Sequence, residues 1–216
     1  MNILNLYSGL GGNRNLWNGH DITSVESDPV LCDEYKRRYP NDIIIRGDAH
    51  EYLLNNHQDF DFIWASPPCQ THSLMAHPVV RYVDCALWQE ILFCRKHVKV
   101  PWCIENDNPW YSEFLPGDFR YDRHSFWTNV HLRFYDLPKR IGNWCKDYKI
   151  EDLAAHLCIP KFHYDMGGHD PAQALRNCVH PQVGKAILDC ANDCYDETFN
   201  DQSTFDFISS REAISA

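Results

Sequence analysis

Short apolar runs recur through the first half of the chain, and each breaks into a turn of glycine, proline or acidic residues. This rhythm restricts the fold more than any other feature. "NILNLYS" reads as a buried strand entering the Gly-rich "SGLGGN", and "RNLWNG" as a helix ending at Gly19. "DITSVESD" is a second strand. "PVLCDEYKRRYP" is a helix opened by Asp28, with Pro29 in its first turn. The β-branched "NDIIIRGD" and the apolar "FDFIWASPP" predict the third and fourth strands. A helix over 82–98 sets Val83, Leu87, Ile91, Cys94 and Val98 on one face, and "VPWCIEND" makes a fifth strand. Strands alternating with helices through short turns predict an α/β fold, a mostly parallel sheet covered on both faces.

The second half is less regular. "FWTNVHLRF" offers one or two edge strands, and "IEDLAAHLCIP" a short helix stopped by Pro160. A last helix from Val179 to about Tyr195 carries Val183, Ile187, Cys190 and Cys194 on one stripe. "DETFNDQSTFDFISSREAISA" reads as an acidic, weakly ordered tail. There is no internal repeat and no low-complexity linker, so one domain is expected, with 189–216 holding the end of the last helix and the tail.

A chain 44% hydrophobic and 13% aromatic can build a sizeable core, which excludes global disorder. No apolar run is long enough to span a bilayer. "MNILNLYSGLGG" does not read as an export signal, so the ten cysteines are expected to be reduced, in a cytoplasmic or nucleoid-associated protein that is not secreted. The net charge of −10 argues against a nucleic-acid binder until its distribution is considered. From Asp189 onward seven acidic residues face one arginine, whereas between Arg120 and Lys149 seven basic residues face three acidic ones. Trp127, Tyr135, Trp144 and Tyr148 lie within that basic segment. The mixture suits phosphates and bases, and equally a solvated, loop-rich face.

Ligands of open α/β sheets sit beyond the carboxyl ends of the strands, and this chain places unusual residues there. Ser8-Gly9-Leu10-Gly11-Gly12 follows the first strand, Glu26 the second and Asp48 the third. Glycines let backbone amides approach a ligand, although such a turn also serves as a plain helix entry. Carboxylates at Glu26 and Asp48 can accept from ribose hydroxyls or an adenine amino group.

The fourth strand ends in Ser66-Pro67-Pro68-Cys69-Gln70. Two prolines restrict the backbone and aim the next side chain, which sets Cys69 apart from the other nine cysteines as a candidate nucleophile. A nucleophilic thiol needs an electropositive neighbour to lower its pKa or receive its charge. The fifth strand ends in Ile104-Glu105-Asn106-Asp107. Partly buried at the sheet's mouth, Glu105 is expected to have a raised pKa and to hold a proton, unless it merely caps the next segment. A thiol and a protonated carboxyl in one pocket can add sulfur across an electron-poor pyrimidine ring while protonating a ring nitrogen.

In this order, "NLYSGLGGN", "VESDP", "GDA", "SPPCQTHS", "IENDN" and "RNCVHPQVGKAI" resemble motifs of the cytosine carbon-5 DNA methyltransferases, from about residue 3 to 188. The resemblance implies a Rossmann-like S-adenosylmethionine-dependent methyltransferase fold over 1–188, with S-adenosylmethionine as methyl donor and a flipped-out cytosine, in DNA first, as substrate. It implies that Cys69 attacks carbon 6 and that Glu105 protonates or hydrogen-bonds nitrogen 3. Tyr7 would pack on the adenine, Ser8, Gly9, Leu10, Gly11 and Gly12 would form the methionine-side turn, and Glu26 would bind the ribose. Asp48 with Ala49 would reach the adenine amino group, and Asn177 with Val179 would close the site. Pro68 and Leu87 are further candidates for cofactor contacts.

The chain also departs from this pattern. Arg123 in "YDRHSFWTN" matches the first of two expected arginines and would bind the substrate oxygen or settle the thiolate, with a phosphate contact or a salt bridge as the equal alternative. Ser125 stands where the second belongs. "LCIPKF" replaces a Gly-Phe-Pro motif, and Arg176 replaces a glycine. Only 129–157 fills the interval that normally carries a large target-recognition region, so the chain should read a very short site or use a protein partner. RNA, transfer RNA above all, a free cytosine nucleotide, and a catalytically silent binding module stay as alternatives. Cys145, Cys158, His163 and His169 lack the two close ligand pairs of a zinc site, and no metal is expected.

Overall fold

The computed structural model describes residues 1–74, 82–133, 137–139, 148–159 and 166–200, with the backbone alone for 194–200. Five parallel strands form its centre: β1 (Asn2–Leu6), β2 (Asp21–Glu26), β3 (Ile43–Arg46), β4 (Phe62–Ala65) and β5 (Trp102–Asp107). A hairpin of β6 (Phe119–Tyr121) and β7 (His124–Thr128) adds to β5 antiparallel, giving the order β3-β2-β1-β4-β5-β7-β6. The chain works outward from β1 to β3, then returns to the other side of β1 at β4. The crevice between the carboxyl ends of β1 and β4 is therefore the topological switch point.

Alternating side chains feed two cores. Leu4, Leu6, Ile63, Ala65, Trp102 and Ile104 pack with α2 (Ala49–Asn56) and α3 (Ala86–His97). On the other face Ile3, Phe62, Trp64 and Cys103 meet Val183, Ile187 and Leu188 of α6 (Pro181–Asn200). The central strands β1, β4 and β5 are buried on both faces because their residues alternate between two apolar layers, as a covered parallel sheet demands, whereas the edge strands β3 and β6 are partly exposed. A third cluster joins Leu10 to α4 (Ile150–His156), Met166 and α5 (Pro171–Arg176).

The local signals explain most boundaries. Asp28 caps α1 (Pro29–Arg38) by accepting from the amides of Val30 and Leu31, with Pro29 opening the helix. Losing such a cap costs about 1 kcal/mol. Four expectations need correction. "RNLWNG" forms one 3₁₀ turn, Asn13–Leu16, too short for a helix. The helix expected from residue 82 starts at Ala86, and α4 ends at His156, before Pro160, which lies outside the described residues. The segment read as a tail from Asp196 continues α6 to Asn200. The helices α2 and α5 escape the sequence reading because each is short and opened by an acidic residue, Asp48 and Asp170, that also reads as a turn.

Candidate active site

A cavity of about 430 Å³ opens at the switch point, lined by the β1 turn, Glu26, the Ser66–Gln70 loop, Glu105, Asp107, Arg123 and the stretch from His169 to Val179. A second cavity of about 210 Å³ lies beside it, lined among others by Asp48, Ala49, His50 and Leu87. Tyr7, Ser27, Pro67 and Pro68 line both, so the two form one groove.

The β1 turn is braced from below rather than left open. Tyr7 sits in the left-handed region (φ 56°), an uncommon state for a residue with a Cβ, and its hydroxyl donates to the buried Glu90. Burial, followed by Glu90, pushes the Tyr7 phenol far above its ordinary value, which keeps it a donor. The Gly9 amide donates to Glu26 Oε2 at 2.9 Å, and the Gly11 amide to the Ser8 carbonyl at 2.7 Å. These amides serve the protein itself and do not form an open cradle. Gly11 does not line the cavity. A Cβ there would meet the Tyr39 and Tyr35 rings at 2.7 and 2.8 Å, so its expected ligand role gives way to packing on α1. A Cβ on Gly12 would meet Cys178 at 2.6 Å and the Val179 carbonyl at 2.7 Å, so this glycine lets the C-terminal wall approach the turn.

Glu26 is the best-held carboxylate of the groove. Its Oε1 accepts from the amides of Ser27 (2.8 Å) and Asp28 (3.0 Å), while Oε2 takes Gly9. Asp48 caps α2 through one oxygen, accepting from the Glu51 amide at 3.0 Å, and still lines the second cavity. Ser8 lines the larger cavity, and its hydroxyl oxygen is buried with no hydrogen-bond partner among the described residues.

Prolines alone do not hold Cys69. Asn106 Nδ2 donates to the Pro67 carbonyl at 2.8 Å, and the Cys69 carbonyl accepts from the amides of His72 and Ser73, both at 2.9 Å. Trp110 then ties the loop to the segment after β5, donating from its ring to Thr71 and from its backbone to His72. Burial, then the Asp107 and Glu105 carboxylates, push the Cys69 thiol up to about 12, with Arg123 pulling the other way. The electropositive setting expected of a resting thiolate is therefore outweighed, and sulfur rests as a thiol.

Glu105 is buried at 6% exposure and bonded to His124 Nδ1 across the β5–β7 ladder. Burial pushes its carboxyl up. The His124 charge and hydrogen bond, Arg123 and the Ser66 hydroxyl together outweigh burial and hold it below the usual range. The expected raised pKa is thus reversed, because the sequence reading did not see His124. Arg123 donates to Asp107 Oδ1 and to the Arg176 carbonyl, both at 2.5 Å, bridging β5 to the end of α5. Ser125, where a second arginine was expected, is fully buried and donates to Asn108 and Glu113, away from the cavity.

The groove thus gathers Cys69, Glu105, Arg123, Tyr7, Ser8, Gly9, Leu10, Gly12, Glu26, Pro68, Asn177 and Val179 in its larger part, and Asp48, Ala49 and Leu87 in its smaller part. Asp107 and His124 were missed. The signal for both lay in "IENDN" and "YDRHSFW", once those stretches are set opposite each other as neighbouring strands. In the basic segment Trp127 is core, its ring N–H on the Leu115 carbonyl, and is withdrawn from the nucleic-acid face. Tyr135 and Trp144 lie outside the described residues, as do Cys145 and His163. No helix among the described residues is long and apolar enough to cross a membrane.

The fold is shared with an Entamoeba histolytica methyltransferase, EhMeth, at TM-score 0.52 with 10% identity, over 89% of this chain and 98% of that one. Residues 1–78 carry the pattern of the C-5 cytosine-specific DNA methylases, whose family model matches them. A mutant DNMT2 of Spodoptera frugiperda matches more weakly, at TM-score 0.38 and 23% identity over 49% of this chain and 35% of its own, so the match spans about a third of that enzyme. The Pyrococcus abyssi tRNA (uracil-54, C5)-methyltransferase, solved with S-adenosyl-L-homocysteine, matches at TM-score 0.34 and 18% identity, over 50% of this chain and 24% of its own. No curated protein matches the chain.

Proposed function

We propose that the chain methylates carbon 5 of cytosine in DNA, using S-adenosylmethionine and a covalent adduct at Cys69. The observation that carries this reading is that Cys69, Glu105 and Arg123 line the same cavity as the β1 turn and Glu26. The cavity's charge points to the same donor class. Glu26, Asp28, Glu105, Asp107 and Asp170 face it against Arg123 and His169, which suits a ligand bearing a sulfonium and an ammonium and disfavours a phosphate-bearing one. The unpartnered Ser8 hydroxyl lies in the same wall, ready for a polar group of the ligand.

S-adenosylmethionine supplies an electrophilic methyl group when bound. Glu26 would take the ribose hydroxyls, since three backbone amides already fix its oxygens, and Asp48 would face the adenine from the smaller cavity. Cys69 Sγ adds to carbon 6 of the base as its proton passes to Asp107, the carboxylate to which the thiol is hydrogen-bonded, and Glu105 meets nitrogen 3, so the ring's electron pair collects at carbon 5. After methylation the carbon-5 proton leaves to solvent water, its bond pair re-forms the 5,6 double bond, and the carbon–sulfur pair returns to Cys69, which takes back its proton from Asp107. Arg123, held on Asp107, stands beside the thiol and favours the charge that sulfur carries on entering and leaving.

Labelled S-adenosylmethionine, offered with duplex DNA, single strands, transfer RNA and deoxycytidine nucleotides side by side, tests the reading. Label in duplex cytosine, absent with C69A, is the expected result. Label only in RNA or nucleotide moves the substrate, and no label in any of them favours a silent binding module.

A further inference from the structure

Glu105 must deliver a proton to a ring nitrogen, yet its surroundings keep it a carboxylate in the free protein. The proton has to be stored next to it. We propose that His124 is the proton-holding partner of Glu105, so that the acid of this site is a Glu105–His124 pair. This rests on the reading of the groove as a cytosine-methylating centre.

The geometry separates the two roles. Glu105 lines the large cavity, whereas His124 does not; it lines a pocket of about 30 Å³ behind it. His124 therefore reaches substrate only through Glu105 and is a positioning and proton-storing residue. The antiparallel register sets His124 opposite Asp107 and Phe126 opposite Glu105, which places Glu105, Asp107, His124 and Phe126 on one face of the sheet. The ring is 8% exposed and its Nδ1 meets Glu105 Oε1 directly. Other titratable or charged groups around it are Asp107 from β5, Tyr121 from β6, Asp122 and Arg123 from the hairpin, His156 from α4, and Cys178 and His180 ahead of α6. The rear pocket has the room of one water, which gives the ring a route for renewing its proton.

The step balances. As Cys69 Sγ bonds carbon 6 and its own proton moves to Asp107, the Nδ1 proton of His124 is relayed through the Glu105 carboxylate to nitrogen 3, so His124 loses one proton and the base gains one. When the carbon–sulfur bond breaks, the proton returns along the same path.

The test is the pH dependence of methyl transfer in the wild type, H124Q and H124R, with cofactor affinity measured by calorimetry for each. In the wild type the rate falls at high pH, where the pair has lost its proton. H124Q should keep cofactor affinity within about twofold and lose roughly 100-fold in kcat. Its alkaline limb should move down by at least one pH unit, because the proton then resides on Glu105 alone. H124R, which restores charge but releases no proton, should not recover either change. An unshifted limb in H124Q, or recovery by H124R, overturns the proposal. If H124Q fails to fold, the H124R profile decides alone. A wild type that methylates no cytosine overturns the reading of the site itself, a result distinct from an active wild type with an unmoved limb.

Discussion

The two ends of the groove are built from different materials. At the donor end, Glu26 is held by three backbone amides and the β1 turn rests on Tyr35, Tyr39 and the Glu90-bound Tyr7, so the geometry follows from the main chain and buried rings. At the acceptor end, beyond β4 and β5, the geometry is made by side chains that titrate: Cys69 beside Asp107, Asp107 on Arg123, Glu105 on His124. The first arrangement is a fixed seat, which suits the donor proposed above. The second can move protons, at the cost of depending on charge. Binding and chemistry should accordingly respond to different perturbations.

The largest expected effect on the donor end comes from E26A. It strands three backbone amides and should weaken S-adenosylmethionine about 100-fold by calorimetry. A loss below tenfold would mean that the backbone seat is not what grips the donor. G12A follows, since its Cβ would strike Cys178 and the Val179 carbonyl. It should destabilise by about 1–3 kcal/mol, read as a lower melting temperature, with weaker cofactor binding. At the acceptor end D107N should speed alkylation of Cys69 by iodoacetamide at pH 8 several-fold, roughly 1 kcal/mol, because a charge that raises the thiol is gone. Arg123→Ala should slow it, because that cation pulls the thiol down, and mass spectrometry of the labelled peptide separates Cys69 from the exposed Cys85 and Cys158. Equal rates in D107N and wild type would erase the contrast between the two ends. The smallest effect belongs outside both: D189A, which removes the exposed Lys185–Asp189 pair on α6, should change stability by less than about 0.5 kcal/mol.

This contrast also explains what could be read from sequence. The donor end was legible because each of its parts is local: a strand, then Gly9 to Gly12, or a strand, then Glu26. Cys69 could be singled out as a candidate for the same reason, since Pro67 and Pro68 precede it directly. The parallel sheet followed from β-branched runs that must be covered on two faces. Partners from distant strands were not legible. Glu105 was assigned a raised pKa from burial alone, and His124, nineteen positions on, reversed it through a pairing that only the β5–β7 register reveals. Gly11 was grouped with its neighbours by motif, whereas α1 rings claim its space. Trp127 looked like a nucleic-acid contact by its basic company and proved to be core, because strand alternation turns it inward.

The most direct measurement is a mechanism-based trap: the full chain, S-adenosylmethionine and a duplex carrying 5-fluorocytosine, followed by digestion and mass spectrometry. Fluorine cannot leave carbon 5 as a proton does, so the account predicts a stable adduct, one methyl group heavier, on the peptide bearing Cys69. Methylated product without any adduct, or an adduct on another cysteine, would contradict it.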